Sequence, residues 1–146
     1  MKKLIQLIMA AGLIAQTQTS AASDKFLDLP VDAALKGPHA STLRDVPVFM
    51  SGQDHPAATK TLGEYTANRR TNAFGKSDEE GCTIAFLSAI ISLQDRAKAE
   101  GGSAVVDIKS ITKHNDLVSA SQYRCVTGAF VANVALTGTI VTTAKP

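Results

Sequence analysis

Two cysteines, Cys82 and Cys125, form the residue pair best suited to chemistry in this chain. In an oxidising compartment they are expected to be bonded rather than left as thiols. Closing the loop of 43 residues between them would be worth roughly 4 kcal/mol by the chain-entropy relation. A second chemistry is open to them: a thiol near a helix N-terminus ionises readily and can serve as a redox switch. No Cys-x-x-Cys is present, which argues against a dedicated oxidoreductase. The three histidines, His39, His55 and His114, are scattered without His-x-x-x-His spacing. A metal site would need the fold to assemble them with Asp54 or Asp116. Asp107 and Lys109 alternate onto one strand face and read as a solvated pair, not an acid/base dyad.

Gly75-Lys76-Ser77 imitates the end of a phosphate-binding loop. That loop needs a glycine five positions earlier, where Arg70 stands, and a buried strand leading in. ATP hydrolysis is therefore not supported. Arg69 and Arg70 could each meet an anionic group, but neighbours on a strand point to opposite faces. With no Gly-x-Ser-x-Gly, His-Glu-x-x-His or catalytic triad, no enzyme is expected. The expected site residues are the disulfide cysteines alone, with no catalytic, cofactor or metal position.

The compartment follows from the first residues. Met1-Lys2-Lys3 is a short positive region, and Leu4–Ala15 is apolar apart from Gln6. Ser20-Ala21-Ala22 then places small residues where a signal peptidase cuts, so residues 1–22 read as a secretory signal. The apolar run is too short for a helix spanning a bilayer. Export to the periplasm is the expectation. Loss of Lys2 and Lys3 brings the 15 basic residues level with the 13 acidic ones, for a net charge of zero. Neutrality excludes a phosphate-driven nucleic-acid binder, and neither cysteine lies near the cut to carry a lipid anchor.

Elements that would position these residues emerge unevenly. Residues 23–60 read as an irregular N-terminal segment, with a helical turn at Asp32–Lys36 and a short strand at Val46–Met50. Thr61–Asn72 alternates weakly, as a strand does. Ser77 and Glu80 fit a capping box. From there Cys82, Ala85, Phe86, Ala89, Ile90, Leu93 and Ala97 recur at helical spacing until Gly101-Gly102. Ala104–Lys113 alternates with Ala104, Val106 and Ile108 on one side. Ser121–Val126 and Ala129–Thr142 are β in character, readable as one long strand bent at Gly128. Cys125–Ala144 carries no charge, which raises a membrane span. Its threonines and the period-two spacing of Phe130, Val134, Leu136 and Ile140 favour buried β instead. The expected fold is α+β: a single domain over 61–146 with one long helix packed on a small antiparallel sheet, in approximate order β-β-α-β-β.

The stretch Gly75-Lys76-Ser77-Asp78-Glu79-Glu80 to Cys82, with Ala97 to Val106, Tyr123-Arg124-Cys125 and Gly128 to Ala132, resembles a family of small secreted bacterial proteins of unknown function. Members often bear the label of an excinuclease ATPase subunit. Neither a phosphate loop nor a zinc-binding cysteine set supports that label here. The layout is more distantly similar to RcsF-like envelope-stress sensors and to YbjQ-like domains. The RcsF-like resemblance implies that Cys82 and Cys125 correspond to one of that domain's disulfides. This chain lacks the second cysteine pair and the lipobox cysteine of that group, and it lacks an evident ligand cluster of the YbjQ-like kind. The expected role is a non-catalytic envelope interaction or stress-sensing module with an envelope protein as partner and no cofactor. A metal- or small-ligand-binding protein and a redox-sensing thiol protein are the alternatives.

Overall fold

A computed structural model describes residues 24–144 of the chain; the leader read at 1–22 lies outside the described residues. The elements run β1 (Lys25–Pro30), α1 (Val31–Leu35), β2 (Val48–Met50), β3 (Ala58–Asn72), α2 (Asp78–Ala99), β4 (Ala104–Ser110), β5 (Gln122–Thr127) and β6 (Val131–Thr143). Short 3-10 turns occupy Ala40–Thr42 and Thr112–His114. The fold is α+β, with α2 packed on a six-stranded, mostly antiparallel sheet.

Strand β6 is the axis of that sheet. On one side it pairs with β3 along its whole length, from Asn72↔Val131 to Ala58↔Thr143. On the other side it has two neighbours in succession. β5 meets its first residues at Val126↔Asn133 and Thr127↔Ala132, and β4 meets its later part from Ser110↔Leu136 to Ala104↔Val141. β1 extends the sheet beyond β5, and β2 extends it beyond β4. The sheet is therefore forked. The central position of β6 also explains its lack of charge: Val134, Leu136 and Ile140 are buried under the helix while Ala135 and Val141 are buried on the far face.

Four expectations need correction. The sheet is mixed rather than purely antiparallel, because β2 runs parallel to β4. The order β-β-α-β-β omits β1, which forms at residues read as irregular. β1 is a six-residue edge strand whose Leu27 and Leu29 touch the core only partly, and Pro30 ends it as edge strands allow. Such a strand leaves little pattern. The run from 121 to 142 is a hairpin, not a bent strand: Gly128 N–H donates to Val131 C=O and the chain reverses. Period-two alternation looks the same in both cases, so only pairing distinguishes them. In β4, Val106 and Ile108 do not share a face. The pairings Val106↔Thr139 and Lys109↔Thr137 leave Asp107 and Ile108 opposite Gly138, a bulge at which Asp107 takes φ 53°. Val105 and Ile108 enter the main core, while Ala104 and Val106 lie with Val141 against Phe49 on the far face.

The long helix forms where its local signals place it. Ser77 Oγ accepts the Glu80 N–H at 3.1 Å, while the Glu80 carboxylate sits 3.9 Å from His39 Nε2. At the other end Gly101 adopts φ 75° and a Schellman closure follows. Gly102 N–H donates to Ala97 C=O and Gly101 N–H to Lys98 C=O. All seven apolar-face residues named above are buried. Gly138 lets α2 approach the sheet, since a Cβ there would lie 2.8 Å from Val105 Cγ1 and 3.2 Å from Leu93 Cδ1.

Cys82 and Cys125 are bonded, with Cα atoms 5.8 Å apart across 43 residues of sequence. Both are completely buried. One helical turn later Phe86 stacks on Tyr123, ring centroids 4.0 Å apart, so the helix meets β5 through a sulfur bridge and a ring pair side by side. Burial pushes the Tyr123 phenol above its ordinary pKa. Gln94, buried on α2, ties down the segment before β2. Its Oε1 accepts the Arg44 N–H, and its Nε2 donates to the carbonyls of Arg44 and Val46, each at 2.9 Å.

Candidate functional site

The fork in the sheet creates a problem of unpaired backbone, and its solution builds the site. Between β4 and β5, on the side away from β3, Ala135 of β6 has no strand beside it. A buried backbone donor or acceptor left without a partner is costly. The chain leaving β4 fills the gap: Ile111 N–H donates to Ala135 C=O at 2.8 Å, and Ala135 N–H donates to Thr112 Oγ1 at 3.0 Å. The same hydroxyl donates to Arg124 C=O at 2.8 Å, while Ser110 Oγ accepts the Arg124 N–H at 2.9 Å. Two fully buried hydroxyls, Ser110 and Thr112, thus stitch the fork.

Anchoring Thr112 this deeply makes the chain turn back sharply over the sheet face that α2 does not cover. Lys113 and His114 both take left-handed backbone angles, φ 48° and 59°. Such angles cost a residue with a side chain on the order of 1 kcal/mol each. The raised turn walls a cleft of about 550 Å³. Its floor is the cross-strand set Thr66, Asn68 and Arg70 of β3 with Asn133 and Ala135 of β6; its wall is Ile111, Lys113 and His114. Asn133 Nδ2 donates to Asn68 Oδ1 at 2.6 Å and to Arg69 C=O at 2.9 Å, which holds both amides in place. Lys113 Nζ pairs with the Asp24 carboxylate, and among the described residues Arg70 forms no ion pair. Arg70, Lys113 and Asn133 also border a smaller hollow of about 150 Å³ toward the β5–β6 turn, where Val126 and Val131 add apolar wall.

The sequence candidates are dispersed. Arg69 and Arg70 point to opposite faces: Arg69 Nη2 donates to Ser92 Oγ on α2 at 3.0 Å, and Arg70 lines the cleft. His39 lies near Glu80, His55 packs on Phe49 with ring centroids 5.7 Å apart, and His114 sits on the cleft wall. Among the described residues no three His, Cys, Asp or Glu side chains come together as metal ligands. Asp107 and Lys109 form a half-exposed ion pair at 3.3 Å, and the Ser51 hydroxyl, with Lys109 beside it, holds the Asp107 carboxyl below the usual range. Among the described residues no helix is long and apolar enough to cross a membrane. Lys113 is expected at the end of a strand over Ala104–Lys113, but the strand stops at Ser110 and Lys113 lies in the turn that follows, beside His114, which is expected only as a scattered histidine. A lysine next to a histidine in a polar turn carries no signal until the fork is known.

Behind the cleft, Arg124 clamps β1 to β5. Its Nε and Nη2 donate to the two Asp28 carboxylate oxygens at 2.8 and 3.0 Å. That bidentate bond holds the Asp28 carboxyl below its ordinary pKa despite partial burial and holds the guanidinium above its own. Asp28→Asn is expected to cost about 1 kcal/mol at pH 7, a modest figure because the pair is partly exposed. A carboxyl with a depressed folded pKa contributes stability above its unfolded value, near pH 4, and loses it as the pH falls through the folded value. Urea unfolding of both proteins from pH 7 to pH 2 should therefore show a gap that closes only on the acid side. A gap independent of pH would sever the link between this pair and acid stability.

Neither the scan against protein-family models nor the searches of curated proteins and of solved structures finds a match to this chain.

Proposed function

We propose that this chain is an exported binding module of the bacterial cell envelope that acts by non-covalent contact, not by catalysis. The observation that carries this reading is the two-sidedness of the sheet. One face is sealed by α2 through a buried disulfide, and the other presents the 550 Å³ cleft. A disulfide accords with an oxidising compartment outside the cytoplasm, and the leader read at 1–22 accords with a periplasmic destination. The cleft lining is rich in hydrogen-bond donors and holds neither cysteine nor carboxylate. Binding suits it better than bond-making chemistry. The link from a helix cysteine to a late-strand cysteine also fits the RcsF-like resemblance, which supports an envelope-sensing role with a protein partner.

A photoreactive amino acid at Asn68 in the cleft and, separately, at Ser88 on α2 tests this in intact cells. The expected result is a discrete adduct from position 68 and none from 88, with purified protein of the mass of Ser23–Pro146 less two hydrogens. Adducts from both positions alike, or a full-length mass with two thiols, would overturn the proposal.

A further inference from the structure

We infer that the cleft between β3, β6 and the Thr112–His114 turn is a binding site for the oxyanion head, phosphoryl or carboxylate, of a small organic molecule, with Arg70 as its principal contact. This inference concerns a ligand and stands apart from whether the module has a protein partner. Four observations carry it. The first is the charge of the lining: Arg70 and Lys113 both stand on it and no carboxylate does, with Lys113 already paired to Asp24 at its margin. A concave surface with a surplus of one sign of charge concentrates the opposite ion. The second is that Arg70 forms no ion pair among the described residues, so its guanidinium has its fork of donors to offer.

The third is prepared polarity. The Asn133–Asn68 hydrogen bond uses Asn68 Oδ1 as acceptor and leaves the Asn68 amide nitrogen without a protein partner among the described residues. With Thr66 beside it, the floor presents neutral donors next to the guanidinium, the combination that recognises an oxyanion. The fourth is strain. Two consecutive residues with side chains occupy left-handed backbone at this place. Glycine would relieve either position, yet the residues present are a lysine and a histidine, whose side chains line the cleft. The adjoining hollow, walled by Val126 and Val131, gives a short apolar substituent a place beside the head.

The test is titration of the ¹⁵N-labelled mature protein with inorganic phosphate and with butyl phosphate, followed by amide shifts. The proposal expects saturable shifts centred on Asn68, Arg70, Lys113, His114 and Asn133, with butyl phosphate also moving Val131. Arg70→Gln should weaken binding by about tenfold or more, as loss of a charge-assisted hydrogen bond does. Arg70 lies on an edge strand, so this variant is expected to keep the native spectrum elsewhere. Should it not fold, His114→Gly replaces it, expected to raise the melting temperature by relieving strain while weakening binding. Absence of saturation in the wild type, shifts scattered over the surface, or equal affinity in the variant that folds would each overturn the inference. None of these outcomes bears on the adducts formed in cells, so the two readings fail separately.

Discussion

Replacing both cysteines, as Cys82→Ala with Cys125→Ala, should lower the unfolding free energy by about 4 kcal/mol. The bridge closes a loop of 43 residues, and its loss returns that loop's freedom to the unfolded chain. For a domain of this size the loss is a large part of the total, typically about 5–15 kcal/mol. The bonded sulfurs sit beside the Phe86–Tyr123 stack, so the variant also loses the restraint that keeps α2 seated on β5. Urea unfolding monitored by circular dichroism measures the difference. A companion experiment separates a structural bond from a switch. Because neither sulfur is exposed, exchange with a reductant has to await opening of the domain. Native protein in dithiothreitol should stay oxidised for long periods, and moderate urea should speed reduction steeply. Rapid reduction without denaturant, together with full stability of the double variant, would favour the redox-sensing alternative.

Thr112→Val should cost about 3 kcal/mol despite changing little in shape. The hydroxyl serves as acceptor for Ala135 N–H and as donor to Arg124 C=O, in a side chain that is completely buried. Valine leaves both backbone groups without partners, at about 1–3 kcal/mol each before relaxation. The effect should also be local in a telling way. Hydrogen exchange at the Ala135 amide should accelerate more than at Val134 or Leu136, and the resonances of Lys113 and His114 should move as the turn loosens. Thr112→Ser keeps the hydroxyl and should restore most of the stability. Wild-type stability in Thr112→Val would mean that the fork is held by something other than this side chain, and the account of the cleft wall would fall with it.

Both effects depend on positions whose importance has different visibility in the sequence. The cysteines are legible because two of them leave one pairing within the chain. Thr112 is not: a threonine between Ile111 and Lys113 looks like any polar residue near a strand end. Its weight comes from Ala135 and Arg124, distant in sequence and adjacent only once β4 and β5 share one side of β6. The same holds for Gln94, a polar residue on an apolar helix face whose three backbone partners lie about a third of the chain away.

By itself the sequence determined the elements whose causes are local. Helix α2 begins at Ser77 and closes at Gly101-Gly102 because capping and helical periodicity act within a few residues, and its buried face follows from the same spacing. It determined that Arg69 and Arg70 part company, since alternation is a property of any strand. It determined that Val134, Leu136 and Ile140 are hidden from water, though not what hides them, and it misplaced Phe130, which is exposed in the turn before β6. Tertiary structure alone decided that β5 and β6 fold back on each other, that Asp107 bulges, that β1 adds an edge, and that Arg70, Lys113 and His114 meet. The reason is the range of the forces. Caps, turns and periodicity are settled between near neighbours, whereas pairing a strand and satisfying its backbone are settled by whichever distant segment arrives beside it.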